Sequence, residues 1–193
     1  MDTQINDRVQ LFLDFMKTAD GAPLVSVDFL DWLISKGFFT APASTKYHGA
    51  REGGLFEHSF AVAKHLTWLT TSCNLTWQEE RSPKIVGMFH DLCKIDQYRL
   101  KVCHTVDITG DSLTLGEWEY NPDMLLKGHG DKSVMLLSQF ENLTEEEIAC
   151  IRYHMGAFTP QEEWKDYTRA IHFWPNVLWT HQADMLAAHV TGV

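Results

Sequence analysis

Apolar residues recur at helical spacing from the start of the chain. Ile5, Val9, Phe12, Leu13 and Met16 fall on one face and predict an amphipathic opening helix. A second helix is predicted over Ser26 to Lys36, because Ser26 is a good N-cap and Gly37 supplies the stop. The link TAPASTKYHGAREGG, residues 40–54, is polar and rich in turn formers. It feeds an apolar helix from Leu55 to Leu69, and Thr76 precedes a further helix expected to run into His90 and Asp91. Beyond it the pattern alternates: Tyr98, Leu100 and Val102, then Leu113 and Leu115, flank Thr109-Gly110-Asp111 and predict a β-hairpin ending near Tyr120. Helical spacing returns over Ser133 to Phe140. Thr144-Glu145-Glu146-Glu147 is a capping box for a helix ending near His154, and Asn176 is expected to cap a final helix through Val190. The pattern predicts an all-α bundle with a small β-hairpin inserted near residues 98–120, one domain over residues 1–193 with no repeat or linker.

Composition narrows the function classes. A chain of 193 residues can bury a core without disulfides or a structural metal. The net charge of −10 and pI near 5.4 exclude a protein that grips long nucleic acid by neutralising phosphates, which needs a basic stripe. Small substrates fit better. The four cysteines form no CxxC pair, so reduced, mostly buried thiols are expected. The N-terminal segment MDTQINDRVQ lacks the basic and apolar regions of a signal peptide, and no run approaches a membrane span. A cytoplasmic chain with no membrane partner is the expectation.

One stretch, GMFHDLCKID at residues 87–96, puts His90 beside Asp91 in an apolar run. Neighbours on a helix point about 100° apart, so one partner satisfies both only from a wedge between helices, where a metal ion could sit. Ten histidines are many for this length. Those at predicted helix starts and ends can converge: His58, His90, His129 and His154, joined by Asp91 and Asp184. Four imidazoles and two carboxylates suffice for two ions. Nitrogen and oxygen donors without thiolate favour divalent manganese, iron, cobalt, nickel or zinc, and a carboxylate with two oxygens can bridge a pair. Asp91 is the bridging candidate.

The order His58, His90–Asp91, His129, His154, Asp184 resembles the HD superfamily of metal-dependent phosphohydrolases. The segment HGAREGGLFEH is similar to one in the HD domain of YhaM-type exoribonucleases, and GHGDKS resembles that family's GHI segment. The resemblance covers roughly residues 47 to 190 and leaves the helices of residues 1–46 outside it. Met155 departs from it, since those relatives usually repeat histidine there, and their nucleic-acid-binding OB module is missing. The resemblance implies a helical HD-domain bundle whose first metal is held by His58, His90, Asp91 and Asp184. Asp91 would bridge to a second ion on His129 and His154. Ions about 3.5–4 Å apart share a water, lower its pKa and present hydroxide in line with a phosphorus atom. No nucleophilic side chain is then needed, consistent with the lack of a GxSxG elbow or P-loop.

The expected activity is thus hydrolysis of a phosphoester in a nucleotide or similar small substrate, with Asp91 and Lys94 as catalytic residues. Lys94 and Lys132 are candidate phosphate contacts, and His48 and Arg51, in the turn before His58, are candidate phosphate or base contacts. His181, one turn before Asp184, could orient a ligand, whereas His65 reads as a face or core histidine. The seven tryptophans read as core and cleft wall. A mixed-valent di-iron oxygenase of the same superfamily, with a similar donor set, and a 3'–5' exonuclease acting on short oligonucleotides are the alternatives. Base, phosphate number, native metal and oligomeric state stay open.

Overall fold

The computed structural model describes residues 3–47, 49–106 and 112–193, and the side chains of 103–106 and 112–115 are left aside. Helices dominate, with one small antiparallel sheet. Helix α1, Thr3–Phe15, and helix α2, Val27–Ser35, open the chain. The Ser26 hydroxyl accepts from Phe29 N at 3.1 Å as the predicted cap, and Gly37 takes φ +81°, where a side chain would be strained. Helix α3, Gly54–Ser72, is the longest element. His58, Val62, Leu66 and Leu69 form its buried stripe. Arg8 of α1 donates to Phe39 O at 3.2 Å and to Glu57 of α3 at 3.1 Å, tying the opening helix to the bundle.

Helix α4, Ser82–Phe89, lies against α3. At Gly87 a Cβ would lie 2.4 Å from Ala63 Cα, so only glycine lets the two backbones approach this far there. Alternation of helix and aromatic filler completes the core: Phe12, Phe29, Phe39 and Phe89 are all buried, with Phe29 and Phe89 ring centroids 5.1 Å apart. α4 starts six residues after Thr76, later than the pattern predicts. Pro83 suits a first turn and not an interior, and Gln78 N donates to Glu146 Oε2 at 2.7 Å, which holds the preceding segment as a turn. The helix also ends at Phe89. His90 caps it, Asp91 leaves the helical region at φ −103°, ψ 18°, and a tight turn follows over Leu92–Asp96.

The hairpin pairs β1, Tyr98–Val106, with β2, Ser112–Tyr120, so that Tyr98 faces Tyr120 and Leu100 faces Trp118. Its predicted turn, Thr109-Gly110-Asp111, lies outside the described residues. The base is fastened to the 92–96 turn: Asn121 N donates to Gln97 O and Asn121 Nδ2 to Asp96 O, both at 2.9 Å. Helix α5, Gly130–Leu137, starts three residues before Ser133 and stops three short of Phe140. Helix α6, Glu145–Arg152, carries the predicted capping box, with Glu147 N donating to Thr144 Oγ1 at 3.1 Å and Thr144 N to Glu147 Oε2 at 2.9 Å. Helix α7, Trp164–Phe173, is absent from the expected elements, although Trp164, Tyr167, Ala170 and Ile171 recur at helical spacing. Helix α8, Asn176–Leu186, continues as a wider turn over Ala187–Thr191. Asn176 is not its cap. The Asn176 amide instead donates to Thr76 O and Glu146 Oε1, both at 2.8 Å, cross-linking α8 to α6 and the turn before α4. Among the described residues no helix is long and apolar enough to cross a membrane.

Candidate metal centre

Five segments deliver the predicted ligands to one place. His58 comes from the first turns of α3, His90 and Asp91 from the end of α4, His129 from the residue before α5, His154 from just past α6, and Asp184 from α8. His58, His90, Asp91 and His154 are buried, while the side chains of Asp184 and His129 keep 19 % and 30 % exposure. The cluster therefore has one open side.

The two oxygens of Asp91 face different partners. Oδ2 lies 3.7 Å from His58 Nε2 and 3.5 Å from His90 Nε2, and Asp184 Oδ1 completes that side at 3.1 Å from His58 Nε2 and 4.0 Å from His90 Nε2. Oδ1 lies 2.8 Å from His129 Nε2 and 3.5 Å from His154 Nε2. The donor atoms of His58, His90 and Asp91 lie within 4.8 Å of one another, as do those of His90, His154 and Asp184 and those of Asp91, His129 and His154. Such groups can hold metal ions.

The outer ring nitrogens explain why the inner ones point inward. His90 Nδ1 lies 2.9 Å from Gly87 O, His154 Nδ1 2.7 Å from Ile151 O, and His58 Nδ1 3.0 Å from Val193 O. A carbonyl only accepts, so each Nδ1 carries a proton and it is Nε2 that faces the cluster. Metal-ligating histidines are oriented in this way. His129 differs, its Nδ1 lying 3.5 Å from the buried Cys93 thiol. Among the described side chains, four buried polar atoms lack a hydrogen bond, and three are His90 Nε2, Asp91 Oδ1 and His154 Nε2. His129 Nε2 approaches Asp91 Oδ1 at 2.8 Å as an ion pair without a geometric hydrogen bond to that oxygen. Unpartnered atoms in one buried cluster fit metal ions, which would satisfy His90 Nε2 on one side of Asp91 and Asp91 Oδ1 with His154 Nε2 on the other.

Electrostatics agree. Burial opposes charge on Asp91, but Lys94 and the surrounding imidazoles outweigh it and hold the carboxyl well below its usual range. Asp184 is lowered likewise, against burial, by His58, His90 and His154. Burial lowers His154. In His90, burial is outweighed by Asp91 and Asp184, and the imidazole rises. In His129 the contest has the same sign, and Asp91 lifts it to about 10. An ion placed on His129 must therefore displace a proton.

The open side is a cavity of about 360 Å³, at the small end of ligand pockets, which run roughly 300–1,000 Å³. Lys94 lies on its wall with Nζ 2.7 Å from Asp91 Oδ2. Burial, which alone would lower the ammonium, is outweighed by Asp91, so it stays charged. Compared with known proteins, the chain matches no family model, no curated protein and no solved structure.

The other predicted contacts are scattered. Lys132 is buried outside the cavity with Nζ paired to Asp96, so a substrate phosphate does not reach it in this conformation. Arg51 also lies off the cavity, bound to Glu57 Oε2 at 2.5 Å. His48 lies outside the described residues. His181 lines the cavity, and its Nδ1 lies 2.9 Å from the backbone carbonyl of His154 and not from a side chain of the cluster. His65 borders a different groove on the outer side of α3, and no tryptophan lines the cavity. Missed in the sequence were Gln97, Tyr120 and Phe158, which the cavity wall includes. Tyr120 was legible only as the end of an alternating run, and Phe158 sits in a short turn with no periodicity.

Proposed function

We propose that the protein is an HD-type metal-dependent phosphohydrolase acting on a nucleotide or similar small phosphoester. The observation that carries this reading is the division of labour in Asp91, whose two oxygens face two separate donor sets. His58, His90, Asp91 Oδ2 and Asp184 would hold one divalent ion, and Asp91 Oδ1, His129 and His154 a second. Manganese, iron, cobalt, nickel and zinc suit these donors. When bound, such ions supply Lewis acidity that polarises a phosphoryl oxygen and activates water.

The chain's own residues do the rest. The Lys94 ammonium stands on the cavity wall where it can hold an anionic phosphoryl oxygen. Protonated Nδ1 atoms keep His58, His90 and His154 from swinging away. A cavity of about 360 Å³ and a chain of net charge −10 favour a small substrate over a long polyanion.

The same donors suit the mixed-valent di-iron oxygenase reading, and Lys94 in the cavity favours hydrolysis. Exonuclease action on short oligonucleotides is the remaining alternative. The deciding experiment incubates manganese-loaded protein, anaerobically, with mononucleotides, dinucleotides and short oligonucleotides, identifying products by mass. Phosphate or nucleoside release without O₂ is expected. Turnover that needs iron and O₂ would replace the proposal with an oxygenase, and faster attack on oligomers than on any nucleotide would replace it with a nuclease.

A further inference from the structure

Three of the four imidazoles are fastened by the backbone carbonyls of Gly87, Ile151 and Val193, which no side-chain substitution removes. At His129 a side chain takes the place of the carbonyl. The Cys93 sulfur lies 3.5 Å from its Nδ1.

That contact closes a circuit. Cys93 is fully buried in the turn Leu92–Asp96, two residues after Asp91. Its backbone N donates to Ser133 Oγ at 3.0 Å, and the same hydroxyl donates to His129 O at 3.3 Å. Ser133 is buried as well, in the first turn of α5. The contacts thus run from Cys93 N through Ser133 to the backbone of His129 and return through the imidazole to Cys93 Sγ. Beside Ser133, the buried Lys132 pairs with Asp96 at the far end of the same turn. One arm of the circuit holds the His129 backbone and the other holds its ring. An imidazole held only at its backbone still turns about two side-chain bonds. The sulfur contact restrains that rotation while Nε2 lies 2.8 Å from Asp91 Oδ1.

We infer that Cys93 is a positioning residue for His129, and that the side of the centre formed by Asp91 Oδ1, His129 and His154 depends on this thiol for its grip on an ion. This rests on the two-ion reading of the proposed function and adds the residue that sets the strength of the second ion. With a metal on Nε2 the ring keeps its one proton on Nδ1, so the sulfur is the acceptor. Sulfur accepts weakly, whereas His58 and His90 on the other side face carbonyls. The second ion is therefore the looser one. Losing an outer partner of this kind weakens metal binding by about 10–100-fold.

The test reads binding and does not depend on turnover. Metal-free protein is titrated with manganese while the paramagnetic resonance of the free ion is followed. Two steps are expected in the parent protein. In Cys93→Ala the weaker step should weaken at least about tenfold and the tighter step stay within about twofold. Cys93→Ser, which keeps an acceptor at that place, should recover most of the loss. An unchanged weaker step in Cys93→Ala, equal loss of both steps, or a serine variant as weak as the alanine one overturns the role. If the parent protein binds fewer than two ions, the two-ion reading fails. The ring ¹⁵N resonances of metal-free protein then decide the positioning role: Cys93→Ala should move those of His129 and leave those of His90 and His154 in place. Unmoved His129 resonances, or equal movement in all three rings, overturn it.

Discussion

Asp91 faces four imidazoles and an ammonium with only two oxygens, so its charge does more than any neighbour's. Asp91→Asn keeps the size and removes the charge that would hold two cations together. Turnover is expected to fall at least about a hundredfold, with helicity intact and metal content below two ions per chain. Elemental analysis beside kinetics checks this, and a variant with two ions and near-normal turnover would end the bridging role. Lys94→Ala should leave metal content near two, while turnover falls by about 2–4 kcal/mol of transition-state stabilisation, the scale of losing one aimed charge. His129 separates the two halves of the cluster by proton affinity. Raised to about 10 by Asp91, it binds a proton that an incoming ion must expel. Affinity for the second ion should therefore rise with pH, by up to about tenfold per unit below 10. Chelator-competition titrations at pH 6, 7 and 8 read this, and a pH-independent second step would contradict it.

At the scale of elements, one glycine sets a distance on which the placement of His129 depends. Gly130 lies against α6 so closely that a Cβ would be 2.2 Å from Arg152 O, and it follows His129 directly. Gly130→Ala should push α5 from α6, destabilise the fold by about 1–3 kcal/mol, and weaken the second ion more than the first. Thermal melts with and without manganese test this, and equal loss of both ions would show that His129 does not move. Such closeness leaves no trace in a single sequence, where Gly130 reads as a loop residue. Local signals were legible instead: the Ser26 cap, the Thr144–Glu147 box and the alternating strands all lie where the pattern puts them. The six residues that converge in the cluster were legible as a set because imidazoles and carboxylates have few other reasons to recur beside buried helix ends. What tertiary contacts decide was not legible. Asn176 looked like a cap but reaches across to Thr76 and Glu146, and Lys132 looked free but pairs with Asp96. The cavity wall includes both Tyr120 and Phe158, which no short window of sequence joins.

For the whole molecule, the cluster is a point of tension when no ion balances it. Unsatisfied buried acceptors cost about 1–3 kcal/mol each, so stripping metal should lower the melting temperature, and adding it should raise it with concentration. A melting temperature indifferent to manganese and to chelator would mean that the buried atoms are satisfied in some other way. The ligands span residues 58 to 184 and come from α3, α4, α6, α8 and the approach to α5. No hairpin of neighbouring helices contains the set, and long loops must close before the donors meet. Refolding is therefore expected to assemble the cluster late, after the local helices exist. A cobalt spectrum, weak for the aqua ion and altered when imidazole nitrogens enter its coordination shell, would serve as a clock for the last closure, lagging the circular dichroism that reports the helices.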